Sequence, residues 1–414
     1  MLNNLKIFAN SIGINATKQI EKILEQKPFE NVKIRIMPDV HVGKNCVIGF
    51  TSELSDYVIP NIVGVDIGCG MLCVNLGKIE IDYYELNKYI YSKIPNGRGI
   101  NSERIIDFDL TKLLCYGKLK KTDSILKSLG SLGGGNHFIE IDEGPDGEKY
   151  LVIHTGSRNL GVQVAEYYQN LANQICNYNI SDFDEKRKKI IEEYKKQRRE
   201  SDIEKALKIL DKEYKTSEEK VEKKYAYLEG KYREAYLHDM KICQAYAKLN
   251  RYIIARRIAT HMGWNLDDYF ESVHNYISFD DNIIRKGAIS AKKGEKVIIP
   301  INMRDGCIIG VGRGNSDWNY SAPHGAGRIM SRTKAMETIK LEDYKKSMEH
   351  VYTTSVNEST IDESPFAYKS MEEILEKIVP TVEVVKIIKP VYNFKASEIR
   401  MYEIEEMKSR PKRN

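Results

Sequence analysis

Among the eight histidines of the chain, His41 (PDVHVG), His137 (GGGNHF), His154 (VIHTGSRN), His274 (SVHNY) and His324 (PHGAGR) lie at strand ends or in tight turns. Their neighbours are small or polar, and such positions on a rigid frame are where metal ligands and nucleophiles are usually presented. His238, His261 and His350 have helix-like surroundings and read as structural residues. In the segment IVGVDIGCG, Asp66 and Cys69 are three residues apart in a glycine-rich turn, with no Cβ at Gly68 or Gly70 to crowd them. Both side chains are free to converge on one ion. A capping Asp beside a buried Cys is the plainer alternative, and this segment alone does not choose between them. Three neutral imidazoles, a thiolate and a carboxylate form a mixed hard and soft set that suits Mn²⁺, Zn²⁺ or Co²⁺ better than Ca²⁺ or Mg²⁺. A shared thiolate would let two ions sit close together, as two-metal phosphoryl transfer requires. No paired CxxC is present, which disfavours structural zinc.

Two further turns have the composition of anion sites. SLGGGNH, from Ser131 to His137, is a glycine run in which backbone N–H groups can face phosphate oxygens. It is not a Walker loop, because Asn-His-Phe follows where Gly-Lys-Ser/Thr would be needed. HGAGR, from His324 to Arg328, followed by Met330, Ser331 and Arg332, is predicted to open a helix with arginines near its start. An anion there would meet amides and guanidinium together, and a neutral histidine at its mouth is suited to attack phosphorus.

The elements that must position these residues fall into three regimes. Up to about residue 160, short β-branched runs such as VKIRIMPDVHVG and YLVIHTGSRNLG are closed by glycine-rich turns and predict strands. From 162 to 260 there is no proline and only Gly230 among glycines, which predicts long helices. Within that stretch, 28 of the 43 residues from 182 to 224 are charged, 15 basic and 13 acidic. Near neutrality favours a solvated antiparallel helical hairpin laced by i,i+4 ion pairs, with an RNA-gripping basic arm as the alternative. From about 265 to 400, strands and glycines return, with a helix near 369–378 and a last strand pair in TVEVVKIIKPVYNFKA.

With 42% hydrophobic and 30% charged residues and 11 prolines, the composition excludes wholesale disorder and collagen-like or small disulfide-scaffold classes. Seven cysteines, an odd number, disfavour a disulfide framework. The formal charge of +5 permits an anionic partner without demanding one. No run of 18 apolar residues and no leader-like start are found, so no membrane association is expected and the protein is read as cytoplasmic.

PDVHVGK, VGVDIGCGM, SLGGGNHFIEI, HTGSRNLG, the VHN at His274, RKGA, HGAGRIMSR and DESPFAYK together resemble, in order and over most of the chain, the RtcB family of GTP-dependent RNA ligases. Only the charged 182–224 segment has no counterpart. The resemblance implies an α+β fold with large, mostly antiparallel sheets around a central cleft. It implies a single catalytic domain over 1–414, an inserted hairpin at 182–224 and a frayed basic tail at 407–414. It also implies a two-manganese site fed by Asp66, Cys69, His137, His154 and His274, with Cys69 bridging, and His324 as the guanylylated residue. Nucleotide contacts would fall on Asn136, His137, Phe138, Ile139 and Glu140, and on His274 and Asn275. Further contacts would be Pro300, Ile301, Asn302, Met303 and Cys307, the turn of His324, Gly325, Ala326 and Gly327, and then Tyr368 and Lys395. Arg158 matches an arginine suited to an RNA phosphate, Arg328 and Arg332 are further phosphate candidates, and Asp39 lies in a loop beside the metals.

The implied activity joins RNA 3′-phosphate or 2′,3′-cyclic phosphate ends to 5′-hydroxyl ends, through a histidyl-GMP and then an RNA-(3′)pp(5′)G intermediate, in tRNA splicing or RNA repair. GTP and two Mn²⁺ ions would be its cofactors, RNA its partner with room for an activating protein, and a monomer its state. A metal-dependent 2′,3′-cyclic phosphoesterase and a non-catalytic RNA or nucleotide-binding protein are the alternatives. This sequence departs from the family where Asn302 and Cys307 stand for expected hydroxyls, where Ile-Ser follows RKGA, and where Pro323 precedes His324. An amide at 302 can still meet a base edge, and the departures mark a divergent subgroup.

Overall fold

The structure is a computed structural model that describes residues 4–10, 12–177, 180–214 and 221–396. The 407–414 stretch, and residues 215–220 within the charged segment, lie outside the described residues.

Two sheets carry the architecture. In the larger, the main path runs Lys296–Asn302, Gly306–Gly312, Val382–Lys395, Phe138–Glu143, Lys149–Thr155, Gly70–Gly77, Tyr269–Val273, every pair antiparallel. Its two end strands meet, since the Ile298 N–H donates to Ser272 Oγ at 3.0 Å. The sheet therefore curls on itself, as an accumulated strand twist allows. Period-2 alternation then sorts the side chains. Leu72, Val74, Ile139, Ile141, Leu151, Ile153 and Phe394 pack outward against Ile254, Ala255 and Ile258 of the 33-residue helix Gly230–Met262. Met71, Cys73, Phe138, Val152, Ile298, Cys307 and Ile388 fill the inside of the curl.

The smaller sheet runs Leu5–Ile7, Ile34–His41, Ile48–Glu53, Ile283–Lys286, Asn275–Ser278, with only its first pair parallel. One residue, His274, separates the last strand of the large sheet from the edge strand of the small one. A two-stranded ribbon, Ala288–Ser290 with Ser321–Pro323, ends at His324. The fold is thus mixed helix and sheet with large antiparallel sheets, as the family resemblance implies.

Three local expectations are corrected. TVEVVKIIKPVYNFKA is one strand, Val382–Lys395, whose register shifts between Pro390 and Tyr392. A bulge accommodates the missing proline N–H, so the chain never needs to turn back. HGAGR does not open a helix: the next helix, Arg332–Thr338, starts four residues later behind Ser331, whose hydroxyl accepts the Lys334 N–H at 3.2 Å. Asp39 lies inside the strand Ile34–His41, not in a loop. Helices Arg158–Asn177, Ile180–Lys196, Ile203–Tyr214 and Gly230–Met262 occupy the proline-free stretch. Among the described residues, no helix is long and apolar enough to cross a membrane.

Candidate metal and nucleotide site

The strand ends of the curled sheet bring the chemical residues together. His154, near the end of Lys149–Thr155, faces inward in step with Val152, and Cys69 precedes the neighbouring strand Gly70–Gly77. His137 precedes Phe138–Glu143, and His274 holds the junction of the two sheets. Cys69 Sγ lies 3.5 Å from Nε2 of His137 and 3.3 Å from Nε2 of His154. His154 Nε2 lies 3.2 Å from Nε2 of His274, and His137 Nε2 lies 3.0 Å from Asp66 Oδ2. One cluster therefore contains all five residues of the expected ligand set.

Backbone carbonyls fix which ring nitrogen is offered. His137 Nδ1 is 3.0 Å from the Leu132 carbonyl and His154 Nδ1 is 3.0 Å from the Asn136 carbonyl. A nitrogen facing a carbonyl must carry a proton, so each Nε2 is the atom left to act as a ligand. Burial first, and neighbouring histidines second, hold His154 and His274 well below the usual imidazole range, which keeps them neutral. A neutral His137 would turn its lone pair on the Asp66 carboxylate, so that pair requires a positive charge between them, a proton or a metal ion. Burial, and then the Asp66 charge, push the Cys69 thiol well above its usual range. Only a cation's charge would make it a thiolate here. The buried Nδ1 of His274 also has no hydrogen-bond partner among the described residues. These donors fit a divalent transition metal.

The supports are less visible in the sequence. Arg251 of the long helix donates to the Gly68 carbonyl at 2.7 Å and the Thr155 carbonyl at 3.0 Å, and its Nε pairs with Glu271 at 2.8 Å. Its neighbour Asn250 accepts from the Gly130 N–H at 2.7 Å and donates to the carbonyls of Ser131 and Gly156 at 3.1 and 3.2 Å. Two adjacent side chains thus tie three ligand-bearing loops to one helix. Gly133, at φ +91°, must be glycine, because a Cβ there would overlap the Arg158 guanidinium and the His137 ring.

A cleft of about 150 Å³ opens on one side of the cluster. It is lined by Asn136, Phe138, Glu140, His154, His274, residues 300–303, residues 324–328, Tyr368 and Lys395. His324 Nδ1 lies 2.6 Å from Asp39 Oδ2, and its ring centroid is 4.8 Å from that of His274. Gly327, at φ +76°, allows the turn to lie against the Asp39 backbone, and the Lys369 N–H donates to its carbonyl at 3.0 Å. Four expected contacts do not line the cleft, His137 among them because it faces the other side of the cluster. Ile139 turns to the opposite, apolar face, Asn275 spends its side-chain oxygen on the Gly287 N–H at 3.1 Å, and Cys307 is buried behind Glu140. Asn302 lines the cleft, but its Oδ1 accepts the Arg304 and Asp305 N–H groups at 3.0 and 2.9 Å, and its Nδ2 donates to Asp305 at 2.8 Å. The amide organises its own turn.

Sequence reasoning missed Glu363, although the DESPFAYK motif contains it. Its buried carboxylate accepts from Lys395 Nζ at 2.8 Å and from the Tyr368 hydroxyl at 2.9 Å, and it pairs with Arg332 at 2.6 Å and Arg328 at 3.5 Å. Burial pushes this carboxyl up, but Lys395, Arg332 and Arg328 together hold it at about 2. Arg328 and Arg332 are therefore already paired, and both line the cleft. Also missed were Asn393, which lines it together with the candidate His41, and Asp142, which is buried behind Glu140. Arg158 faces the other side of the cluster, where its Nε donates to Ser131 Oγ at 3.1 Å.

Comparison with known proteins is consistent with this arrangement. The family model described as tRNA-splicing ligase RtcB matches residues 22–120 and 116–396. The RNA-splicing ligase RtcB of Escherichia coli (strain K12) is 28% identical over 430 residues, covering 94% of this chain and 96% of that protein. The tRNA-splicing ligase RtcB of Nanoarchaeum equitans is 26% identical over 460 residues, with 86% and 87% covered. That of Methanococcus maripaludis is 26% identical over 433 residues, with 82% of each chain covered.

Proposed function

This chain belongs to the RtcB family, and on that premise we propose that it is an RNA ligase that seals 3′-phosphate or 2′,3′-cyclic phosphate ends to 5′-hydroxyl ends at the cost of GTP. The observation that carries the reading is the position of the donor cluster. It forms a partition between a small cleft with His324 in its wall and a wide groove with Asp66, His137 and Arg158 on its floor. A nucleotide on one side and an RNA end on the other would meet across it.

Asp66, Cys69, His137, His154 and His274 would hold two Mn²⁺ ions, the Cys69 sulfur lying within 3.5 Å of both His137 and His154. Such ions supply Lewis-acid polarisation of phosphoryl oxygens. The remaining chemistry belongs to the chain. Asp39 accepts the Nδ1 proton of His324 and leaves Nε2 with its lone pair toward the cleft. Nε2 attacks the α-phosphorus of GTP, a nitrogen–phosphorus bond forms, and pyrophosphate leaves. An RNA 3′-phosphate oxygen then displaces His324 and takes the guanylyl group. The 5′-hydroxyl of the second end attacks that activated 3′-phosphate, loses its proton, and expels GMP. Residues from Asp39 to Lys395 serve this one site, so the chain acts as one catalytic unit.

Incubation with α-labelled GTP and Mn²⁺ tests the reading. Acid-labile label should appear on wild type and be absent from His324→Ala. If wild type takes no label yet opens 2′,3′-cyclic phosphate ends, the ligase reading fails and the phosphoesterase alternative holds.

A further inference from the structure

The groove on the far side of the donor cluster measures about 1570 Å³, roughly ten times the cleft. Its lining carries eight Lys and Arg against two carboxylates, Asp66 and Glu166, although the whole chain has 64 against 59. Cations have thus been sorted onto this surface. Lys118, Lys120 and Lys121 form one bank, which is fixed to the helix Arg158–Asn177 by paired bonds between Gln163 and the Lys120 backbone, 2.7 and 3.0 Å long. The opposite contribution comes from the charged insertion: Arg187, Lys188 and Ile191 of the helix Ile180–Lys196 also line the groove, as does Lys223.

The near neutrality of the 182–224 segment conceals this sorting. Arg187, Lys188 and Ile191 are spaced i, i+1, i+4, which places them on one helical face. Acidic residues of the insertion are engaged along the helices, Glu185 with Lys189 at 2.7 Å and Glu204 with Lys208 at 2.8 Å. What faces the groove from the insertion is cationic and apolar. A surface of separated cations, spread over a trench too large for a mononucleotide and reaching Asp66 and His137, has the charge of a polyphosphate track.

We propose that the helix Ile180–Lys196 of the insertion is the outer wall of an RNA-binding groove, with Arg187 and Lys188 gripping the backbone of the strand whose end lies at the donor cluster. This rests on the ligase reading. It gives the charged segment a binding role in place of the solvated-hairpin expectation.

The test is a double variant, Arg187→Ala with Lys188→Ala, compared with wild type and with Lys208→Ala, which does not line the groove. Binding of single-stranded RNA ending in a 3′-phosphate, or beginning with a 5′-hydroxyl, is measured against KCl concentration by fluorescence anisotropy. Losing two phosphate contacts should reduce the slope of log K against log salt by about 1.4. KM for the strand that occupies the groove should rise at least tenfold, while labelling of His324 by GTP, which needs no RNA, stays unchanged. Lys208→Ala should behave as wild type. Equal affinity and equal slope in the double variant, with circular dichroism unchanged, would overturn the proposal even if guanylylation proceeds. A reduced slope in a protein that never takes up GMP would uphold the groove and remove the ligase reading instead.

Discussion

One carboxylate oxygen, Oδ2 of Asp39, lies 2.6 Å from Nδ1 of His324 and 3.2 Å from its backbone N–H, so the ring and the chain that carries it are held by the same atom. Asp39 is fully buried, and the strand Ile34–His41 fixes its direction. In the proposed reaction this contact selects one tautomer, with Nε2 as the nucleophile. Asp39→Asn keeps the shape but can present an N–H to Nδ1, which would favour the proton on Nε2. Guanylylation should slow by about 10²- to 10⁴-fold, with bound metal and melting temperature near wild type. A labelling rate within twofold of wild type would show that Asp39 does not orient the ring.

Arg251 extends the same logic to the donor cluster. It bridges the Gly68 and Thr155 carbonyls and neutralises Glu271 while 1% exposed. Arg251→Met leaves Glu271 without its charge partner and two carbonyls without donors, a loss of about 3–5 kcal/mol in denaturant unfolding. Metal content by mass spectrometry should fall with it, because the DIGCG turn and the His154 strand lose their common anchor. Arg251→Lys keeps the charge but not the fork, and should recover only part of either quantity.

Base choice is predicted to rest on Glu140 and not on Asn302. Glu140 lines the cleft and accepts from Asn393 Nδ2 at 2.5 Å, whereas the Asn302 amide is consumed by its own turn. Burial, followed by the Glu140 charge, pushes Asp142 well above the carboxylate range, so Asp142 holds a proton behind it. A carboxylate can accept from both N1–H and the exocyclic amine of guanine, whereas adenine presents an acceptor at N1. Glu140→Gln should therefore cut the preference for GTP over ATP in the labelling reaction by at least tenfold, and Asn302→Ser should leave it intact. The reverse pattern would return selectivity to residue 302.

Much of the site was legible because its residues sit in short glycine-rich motifs, where steric demands and ligand chemistry leave marks on neighbouring letters. Asp66 and Cys69 share one turn, Gly133 marks the close approach of Arg158 to His137, and Gly327 marks that of the turn to Asp39. What escaped depends on long-range packing. Nothing local to Asn250 and Arg251 distinguishes them from other polar residues of a 33-residue helix. That His274 alone joins two sheets follows from strand pairing between distant segments, and Ile139 and Phe138 could be told apart only once the face of their strand was known. The single strand Val382–Lys395 was read as a strand pair because a bulge and a turn leave similar marks in sequence.

Glu363 gives a pH signature. Its carboxyl is held at about 2 against an ordinary 4.5, so the folded protein releases this proton far more readily than the unfolded chain does. A depressed carboxyl contributes stability that is fully present above the unfolded value and is lost as pH falls from about 4.5 toward 2. The shift corresponds to stabilisation on the order of 3 kcal/mol at neutral pH. Glu363→Gln should therefore melt lower than wild type at pH 7, and the gap should narrow steadily between pH 5 and pH 3. The substitution also leaves Lys395, Arg328 and Arg332 without their shared anion beside the cleft. GTP should then bind with its triphosphate drawn toward those cations and away from His324, lowering the labelling rate without weakening affinity. A constant melting difference across pH 3–7 would mean that the carboxylate is not charged in the folded state, and the cation cluster would have to be balanced by another group.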